Sequence, residues 1–181
     1  SSDGSTNFED IIDEFENYSF NSSSGISYVG GGTQTIAGTY NGGASTLTYQ
    51  NVHIDGGTEK AAEAGLDING TFIGNGDAEF NDGGFSHTFA GDYALESPST
   101  GLLSGTITFN GSDQTISNNR FNNAIFSGSG TKTNGQVSMI VPDAGGAQTV
   151  TVNGGTWDFD GDVTINNGCT VDAATFSVTS A

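Results

Sequence analysis

Three aspartates at alternate positions are the residues best placed to do chemistry. Asp158, Asp160 and Asp162 alternate with Phe159 and Gly161. On a strand such residues point to one side, and a turn at Gly161 would bring the three carboxylates together. Close carboxylates repel one another unless a cation separates them, and Ca²⁺ takes six to eight oxygen ligands. The spacing predicts a calcium site at Asp158, Asp160 and Asp162, with an exposed Asp-Gly hairpin turn as the alternative.

Groups that could act in catalysis are scattered. His53 and His87 lie in β-like segments near Asp55 and Asp92. A histidine can bind a metal or act as a general base, but no repeated spacing relates these two, so surface or core positions are the simpler interpretation. No Gly-x-Ser-x-Gly motif occurs, and Cys169 has no basic neighbour in the sequence that would activate its thiolate. The sequence therefore predicts a protein that is not an enzyme.

The charge balance excludes several classes of partner. The chain has 181 residues with 21 acidic and 3 basic side chains, which gives a net charge of −18. Nucleic-acid binding requires many contacts from Lys and Arg to phosphate, and anionic membranes require a basic surface. No apolar run approaches the length that spans a bilayer. We therefore expect no nucleic-acid partner and no membrane insertion.

Short alternating runs predict the elements that would position these residues. Segment 149–178 alternates apolar and polar residues in runs that stop at Asn-Gly-Gly, Asp-Gly or Asn-Asn-Gly, as strands joined by tight turns do. Large apolar residues also recur at steps of 18 or 19 positions, which predicts a β-solenoid with one such step per coil. An antiparallel β-sandwich or jelly roll is the alternative, and a small barrel is a third. The recurring residues are Tyr28, Leu47, Leu66, Phe85, Leu103, Phe121, Met139, Trp157 and Phe176.

The N-terminal segment differs from the rest of the chain. Residues 1–7 are small and polar and predict a disordered tether. Residues 8–20 predict an amphipathic helix that caps the first coil, because Phe8, Ile11 and Phe15 fall on one helical face. Residues 21–181 then form a single β domain. Within it, the Ala- and Glu-rich segment 58–65 predicts a helical turn.

Paired asparagines carry a resemblance to a known class of protein. Segment 115–126 places Asn pairs between apolar residues, and segment 150–178 continues the short strands. These segments resemble coils of right-handed parallel β-helix proteins and the passenger repeats of secreted bacterial adhesins. The resemblance implies a location outside the cell or on its surface, an adhesive role and no catalytic residue.

Threonine repeats suggest a second kind of surface. Thr115, Thr133, Thr151 and Thr170 follow one another at nearly equal intervals, which match the step between the large apolar residues. A row of Thr on a solenoid resembles the ice-contacting face of ice-binding proteins, although Thr is also common on strand surfaces. Thr-x-Thr motifs occur at 33–35, 46–48, 106–108, 131–133 and 149–151.

Together these patterns predict a non-enzymatic extracellular structural or adhesive protein. Uncovered edge strands would let it assemble with itself into a homo-oligomer or fibre. The first alternative is a module that binds ice or, with help from Ca²⁺, glycans. The second is a glycan-active enzyme built on a β-helix.

Overall fold

The structure is a computed structural model that describes residues 23–40, 42–95, 103–117, 121–134, 138–141, 148–152, 156–159, 162–165 and 169–173. The predicted tether and capping helix lie outside these residues. The strands in chain order are β1 (Gly25–Val29), β2 (Gln34–Ile36), β3 (Thr39–Tyr40), β4 (Ser45–Thr46), β5 (Thr48–Tyr49), β6 (Asn51–Asp55), β7 (Glu59–Ala62), β8 (Asp67–Ile68), β9 (Phe72–Gly74), β10 (Glu79–Asn81) and β11 (Ser86–Phe89). They continue with β12 (Tyr93–Leu95), β13 (Leu103–Phe109), β14 (Gln114–Ser117), β15 (Phe121–Phe126), β16 (Thr131–Asn134), β17 (Ser138–Val141), β18 (Gln148–Val152), β19 (Thr156–Phe159), β20 (Asp162–Ile165) and β21 (Cys169–Ala173).

These strands form a β-solenoid, as the sequence predicted. Sheet 1 has the order β1-β6-β9-β12-β14-β16-β19, sheet 2 the order β2-β7-β10, and sheet 3 the order β5-β8-β11-β13-β15-β18-β21. Every pairing within them is parallel, and in the first three coils the chain visits sheets 1, 2 and 3 in turn. The parallel pair β17–β20 follows sheet 1 in later coils, and the antiparallel hairpin β3–β4 precedes β5.

The coils are unequal in length. Thr48 pairs with Asp67, which is the predicted interval, whereas Thr106 pairs with Asn123 after a shorter one. Asn123 in turn pairs with Thr149, and the intervening coil is much longer than either of these. The predicted constant period therefore describes some coils and not others, because the turns between sheets differ in length and the pairing of β13 with β15 shifts register between Leu103 and Thr106.

Aromatic side chains fill the interior beneath sheet 3. Tyr49, Ile68, Phe89, Phe109 and Phe126 are in register on successive strands, and each is fully buried. The rings of Phe109 and Phe126 stack with centroids 5.3 Å apart, and those of Phe89 and Phe109 with centroids 6.0 Å apart. Burial of such rings is the main stabilising contribution, since each removes a large apolar area from water.

The predicted single column of recurring apolar residues is wrong in detail. Leu103 does pair with Phe121, but Tyr28 pairs with Ile54 in sheet 1. Phe85 is 39% exposed, and the buried position facing Ile107 is taken by His87 instead. The other outliers are Met139, which pairs in β17–β20, and Trp157, which pairs in sheet 1, while Phe176 lies outside the described residues.

The predicted helical turn at 58–65 is also wrong. Glu59–Ala62 forms β7, the central strand of sheet 2, between β2 and β10. Pairing on both sides satisfies the backbone of β7 and buries Lys60 and Ala62, which outweighs the weak helical propensity of Ala and Glu.

Candidate functional site

Two rows of positions on the outer side of sheet 3 are occupied mainly by residues with short polar side chains. On β11, β13 and β15 the buried residues alternate with residues that face outward. We call these outward positions, with the residues in register with them on the other strands, the threonine face. Row 1 is Thr48, Asp67, Thr88, Thr108, Ile125, Thr151 and Asp172. Row 2 is Ser86, Thr106, Asn123, Thr149 and Thr170.

The register fixes a two-dimensional repeat. Neighbouring strands of a sheet lie about 4.8 Å apart, and alternate residues of one strand are about 6.7 Å apart. Thr106 and Thr108 on β13 thus face Ser86 and Thr88 on β11 at one strand spacing. On the opposite side, Asn123 and Ile125 take the matching positions on β15. The result is a grid of hydroxyl, amide and methyl groups with a constant spacing in both directions.

The interior holds this grid in place. Between the outward residues of β11 and β13 lie His87 and Ile107, each almost completely buried. Phe89 and Phe109 anchor the ends of these strands. Threonine is β-branched and has few χ1 rotamers, so its hydroxyl and methyl groups keep their orientation at little further entropic cost. The threonine face is therefore preorganised.

Charge distinguishes this face from its neighbours. Among the threonine-face side chains that the structure describes, Asp67 is the one that carries a charge, and it accepts a hydrogen bond of 2.8 Å from the Thr48 hydroxyl. Sheet 2 instead places Glu59 and Glu79 side by side, and Asn81 donates to Glu59 at 2.9 Å. On a chain of net charge −18, the threonine face thus differs from sheet 2 in the low charge of its described side chains.

The central outward row of sheet 1 offers a contrast. That row, in register on β1, β6, β9, β12 and β14, is Ser27, His53, Ile73, Ala94 and Ser117. Its side chains differ in size, polarity and hydrogen-bonding capacity from one strand to the next. A periodic ligand would therefore find matching groups on sheet 3 and mismatched ones along this row.

The predicted row of four threonines divides between two sheets. Thr115 pairs with Thr133 on sheet 1, whereas Thr151 and Thr170 belong to different rows of sheet 3. The prediction of one row was wrong because it assumed equal coils. The Thr-x-Thr motifs at 106–108 and 149–151 do meet on one face, through Asn123 and Ile125 of the strand between them.

The histidines do not form a catalytic site with each other. His53 lies on the outer side of sheet 1, where its Nε2 is 2.9 Å from the Asn75 amide nitrogen. His87 is buried under sheet 3; its Nδ1 accepts the Leu66 amide proton at 3.1 Å and its Nε2 donates to the Asp82 carbonyl oxygen at 2.9 Å. Burial lowers the pKa of His87, although its hydrogen bond to the Asp82 backbone and the Asp82 charge partly offset this effect. His87 is a structural residue whose two ring nitrogens are both engaged.

The predicted calcium ligands lie largely beyond what the structure describes. Asp158 belongs to β19, where it pairs with Thr133, and Asp162 begins β20, where it pairs with Ser138. Asp160 and the geometry of the three carboxylates lie outside the described residues. Within the described part of the chain, no group of three or more His, Cys, Asp or Glu side chains is arranged to hold a metal ion.

Sequence reasoning missed two buried lysines. The Lys60 ammonium donates to the carbonyl oxygens of Gly30 at 3.0 Å and Gly32 at 3.3 Å. The Lys132 ammonium likewise donates to the carbonyl oxygens of Gly111, Ser112 and Ser129. Burial lowers the pKa of both lysines, and Asp55 and Asp113 respectively oppose the shift. Each lysine fastens turns of adjacent coils from inside, so neither lends its charge to the surface.

A buried glutamine lies beside Lys132 and also forms hydrogen bonds to turn groups. Gln114 pairs with Lys132 in sheet 1 and is also buried. Its amide nitrogen donates to the carbonyl oxygens of Phe89 at 3.0 Å and Gly91 at 2.6 Å, and its amide oxygen accepts the Gly111 amide proton at 2.8 Å. The buried polar side chains thus satisfy turn groups and keep the coils aligned, which a purely apolar interior could not do.

Comparison with known proteins provides no relative from which to infer a function, so function has to be inferred from the threonine face. Among the described residues, no helix is long and apolar enough to cross a membrane. No family model, curated protein or solved structure matches this chain.

Proposed function

We propose that this chain is a non-enzymatic ice-binding protein that contacts the crystal through its threonine face. The observation that carries the proposal is the register of Ser86, Thr88, Thr106 and Thr108 with the residues that follow them on β15 and β18. Ice is a periodic array of hydrogen-bonding groups, and a protein surface of matching period can meet many of them at once. The β-sheet sets spacings of about 4.8 Å and 6.7 Å on this face, and we infer that an ice plane with similar repeats is the ligand.

Thr chemistry suits such a ligand. Its hydroxyl group both donates and accepts hydrogen bonds, as water does. A single hydrogen bond contributes only about 0.5–1.5 kcal/mol net, so useful adsorption requires many contacts in register. A preorganised face makes these contacts without a large ordering cost. A molecule adsorbed in this way would block growth of the ice surface beneath it.

The remaining surface fits this role. The acidic groups of sheet 2 and the high net charge keep the molecule soluble while the neutral face meets the crystal. We place the protein outside the cell or on its surface, where ice first forms. This location agrees with the Gly-, Asn- and Thr-rich, Lys-poor composition.

The test compares two matched tyrosine variants. Thr108→Tyr puts a bulky ring in the middle of the threonine face, whereas Thr115→Tyr puts the same ring at an exposed position of sheet 1. We expect the wild type and Thr115→Tyr to produce thermal hysteresis and to inhibit ice recrystallisation, and Thr108→Tyr to lose at least about tenfold in potency because the ring lifts the face off the lattice. Equal thermal unfolding of the three proteins excludes misfolding as the cause.

Two outcomes would contradict the proposal. Wild-type protein without hysteresis, or with hysteresis that Thr108→Tyr leaves intact, would show that the face does not bind ice. Retention of the wild type, but not of Thr108→Tyr, on insoluble crystalline glycan in the absence of hysteresis would reassign the face to glycan binding.

Self-association is a second candidate, favoured by the end of sheet 3. Within the described residues, β21 pairs with β18 on one side only. An edge strand of this kind can accept a strand from another copy. Salt or Ca²⁺ would weaken the repulsion between acidic chains, since screening shortens its reach to about 8 Å at physiological ionic strength. Light scattering over both titrations tests assembly, and a chain that stays monomeric throughout would exclude it.

A further inference from the structure

One carboxylate interrupts row 1 of the threonine face. Asp67 lies on β8, in register with Thr48 on one side and Thr88 on the other. We propose that Asp67 limits the ice-contacting field on the N-terminal side, so that its replacement by a neutral hydroxyl residue would enlarge the field. This inference rests on the proposed function and identifies the residue that sets its extent.

The geometry shows that Asp67 removes two positions from the grid. Its own carboxylate replaces a hydroxyl, and its Oδ2 accepts the Thr48 hydroxyl proton at 2.8 Å. That proton is therefore directed along the sheet toward Asp67 and is not offered to a ligand above it. On the C-terminal side of Asp67, the next positions of row 1 are the uncharged Thr88 on β11 and Thr108 on β13.

Charge explains why the field ends at this strand. A carboxylate is strongly hydrated, and adsorption on a lattice of neutral water molecules would strip part of its hydration without supplying a counter-charge. The penalty applies on every encounter in which β8 approaches the crystal. The described surface that avoids the penalty therefore begins at β11.

No substitution can extend row 2 from β11 toward β8. Row 1 is therefore the row that a substitution on β8 can lengthen. The position in register with Ser86 on the β8 side is Gly65, as the pairing of Thr88 with Asp67 shows. A Cβ at Gly65 would lie 2.5 Å from the Ser86 carbonyl oxygen, which is too close for any side chain. Asp67 is thus the position at which one substitution can lengthen the grid.

The opposite end of row 1 repeats the residue type. Asp172 on β21 is in register with Thr151 on β18. An aspartate therefore occupies row 1 on each side of the strands β11, β13, β15 and β18.

The experiment measures ice recrystallisation inhibition for Asp67→Thr, Asp67→Asn and a charge control, Asp77→Thr, in the full chain. Asp77 is exposed in a turn away from sheet 3, so its replacement makes the same change in net charge without touching the grid. We expect Asp67→Thr to raise potency at least about threefold, because it adds two adjacent hydroxyl positions to the hydrogen-bonding grid. Asp67→Asn, which removes the charge but can still accept from Thr48, should give a smaller gain, and Asp77→Thr none.

The outcomes separate this inference from the proposed function. Unchanged or reduced potency in both Asp67 variants, when they unfold at the wild-type temperature and Thr108→Tyr still loses at least about tenfold in potency, would overturn the role of Asp67 and leave ice binding in place. An equal gain in Asp77→Thr would overturn it as well, by assigning the gain to net charge. Inactivity of every protein, wild type included, would refute the proposed function itself.

Discussion

Acidification should destabilise this protein through His87. The ring is 1% exposed and stands where the inward column of sheet 3 places Leu66 and Ile107 on the neighbouring strands. Its neutral form fits the site, because Nδ1 must be unprotonated to accept the Leu66 amide proton while Nε2 keeps the proton that it donates to the Asp82 carbonyl oxygen. Protonation of Nδ1 would set one N–H group against another.

The surroundings give the direction of the effect. Phe80 packs edge-on against the ring with centroids 5.6 Å apart, and Phe89 stacks at 6.4 Å. Asp82 is the charged group that acts on the ring; it favours the imidazolium but does not overcome the desolvation, so the pKa of His87 in the folded protein is lowered. In the unfolded chain a histidine titrates with a pKa of about 6.5.

The pKa values of His87 in the folded and unfolded states determine the sign and the slope of the pH dependence of stability. Between the lowered pKa of the folded state and about pH 6.5, the unfolded chain binds more protons than the folded one, so acid favours unfolding. The contribution of neutral His87 is complete above the unfolded pKa and is lost as the pH falls toward the folded pKa. The free energy of unfolding should drop by up to about 1.4 kcal/mol per pH unit in this window.

Urea denaturation at a series of pH values between about 7.5 and 4.5 measures this slope. Carboxylates also titrate in acid, so the informative quantity is the difference between the wild type and His87→Gln, which lacks the ionisable ring. We expect His87→Gln to be less stable at neutral pH yet to have a shallower pH dependence. Parallel curves for the wild type and His87→Gln would mean that His87 makes no contribution to the pH dependence of stability.

Two further changes test other parts of the molecule. Lys60→Met keeps the aliphatic bulk but leaves the carbonyl oxygens of Gly30 and Gly32 without their ammonium donor. Urea denaturation should therefore show that the free energy of unfolding falls by about 1–3 kcal/mol. Equal or greater stability would mean that the buried charge costs more than its hydrogen bonds contribute. If Asp158, Asp160 and Asp162 bind Ca²⁺, the ion should raise the melting temperature of the wild type and not of Asp160→Asn, because a ligand bound only by the folded state stabilises it. A wild-type melting temperature that is independent of Ca²⁺ would eliminate that site.

The sequence alone determined the class of fold and the chemistry available to its surface. Period-two alternation requires strands with one buried face, and Gly- and Asn-rich turns at short intervals require many of them, so an all-β fold was predictable; the recurrence of large apolar residues favoured a solenoid over a sandwich. The shortage of Lys and Arg argued against phosphate-bearing partners in the same way. The Thr-x-Thr motif at 106–108 also marked a strand with two outward hydroxyl groups, because alternation by itself puts both on one side.

Tertiary structure decided which residues meet. A short coil followed by a long one brings Asn123 between Thr106 and Thr149, and no fixed period could have revealed that register. Propensity favoured a helical turn at 58–65, yet pairing on both sides made Glu59–Ala62 a strand and placed Lys60 among turn carbonyl groups. His87 is buried where the periodicity predicted Phe85, because the preceding coil is longer than its neighbour. Strand pairing is a contact between distant parts of the chain, and its register depends on loop lengths that local sequence does not constrain.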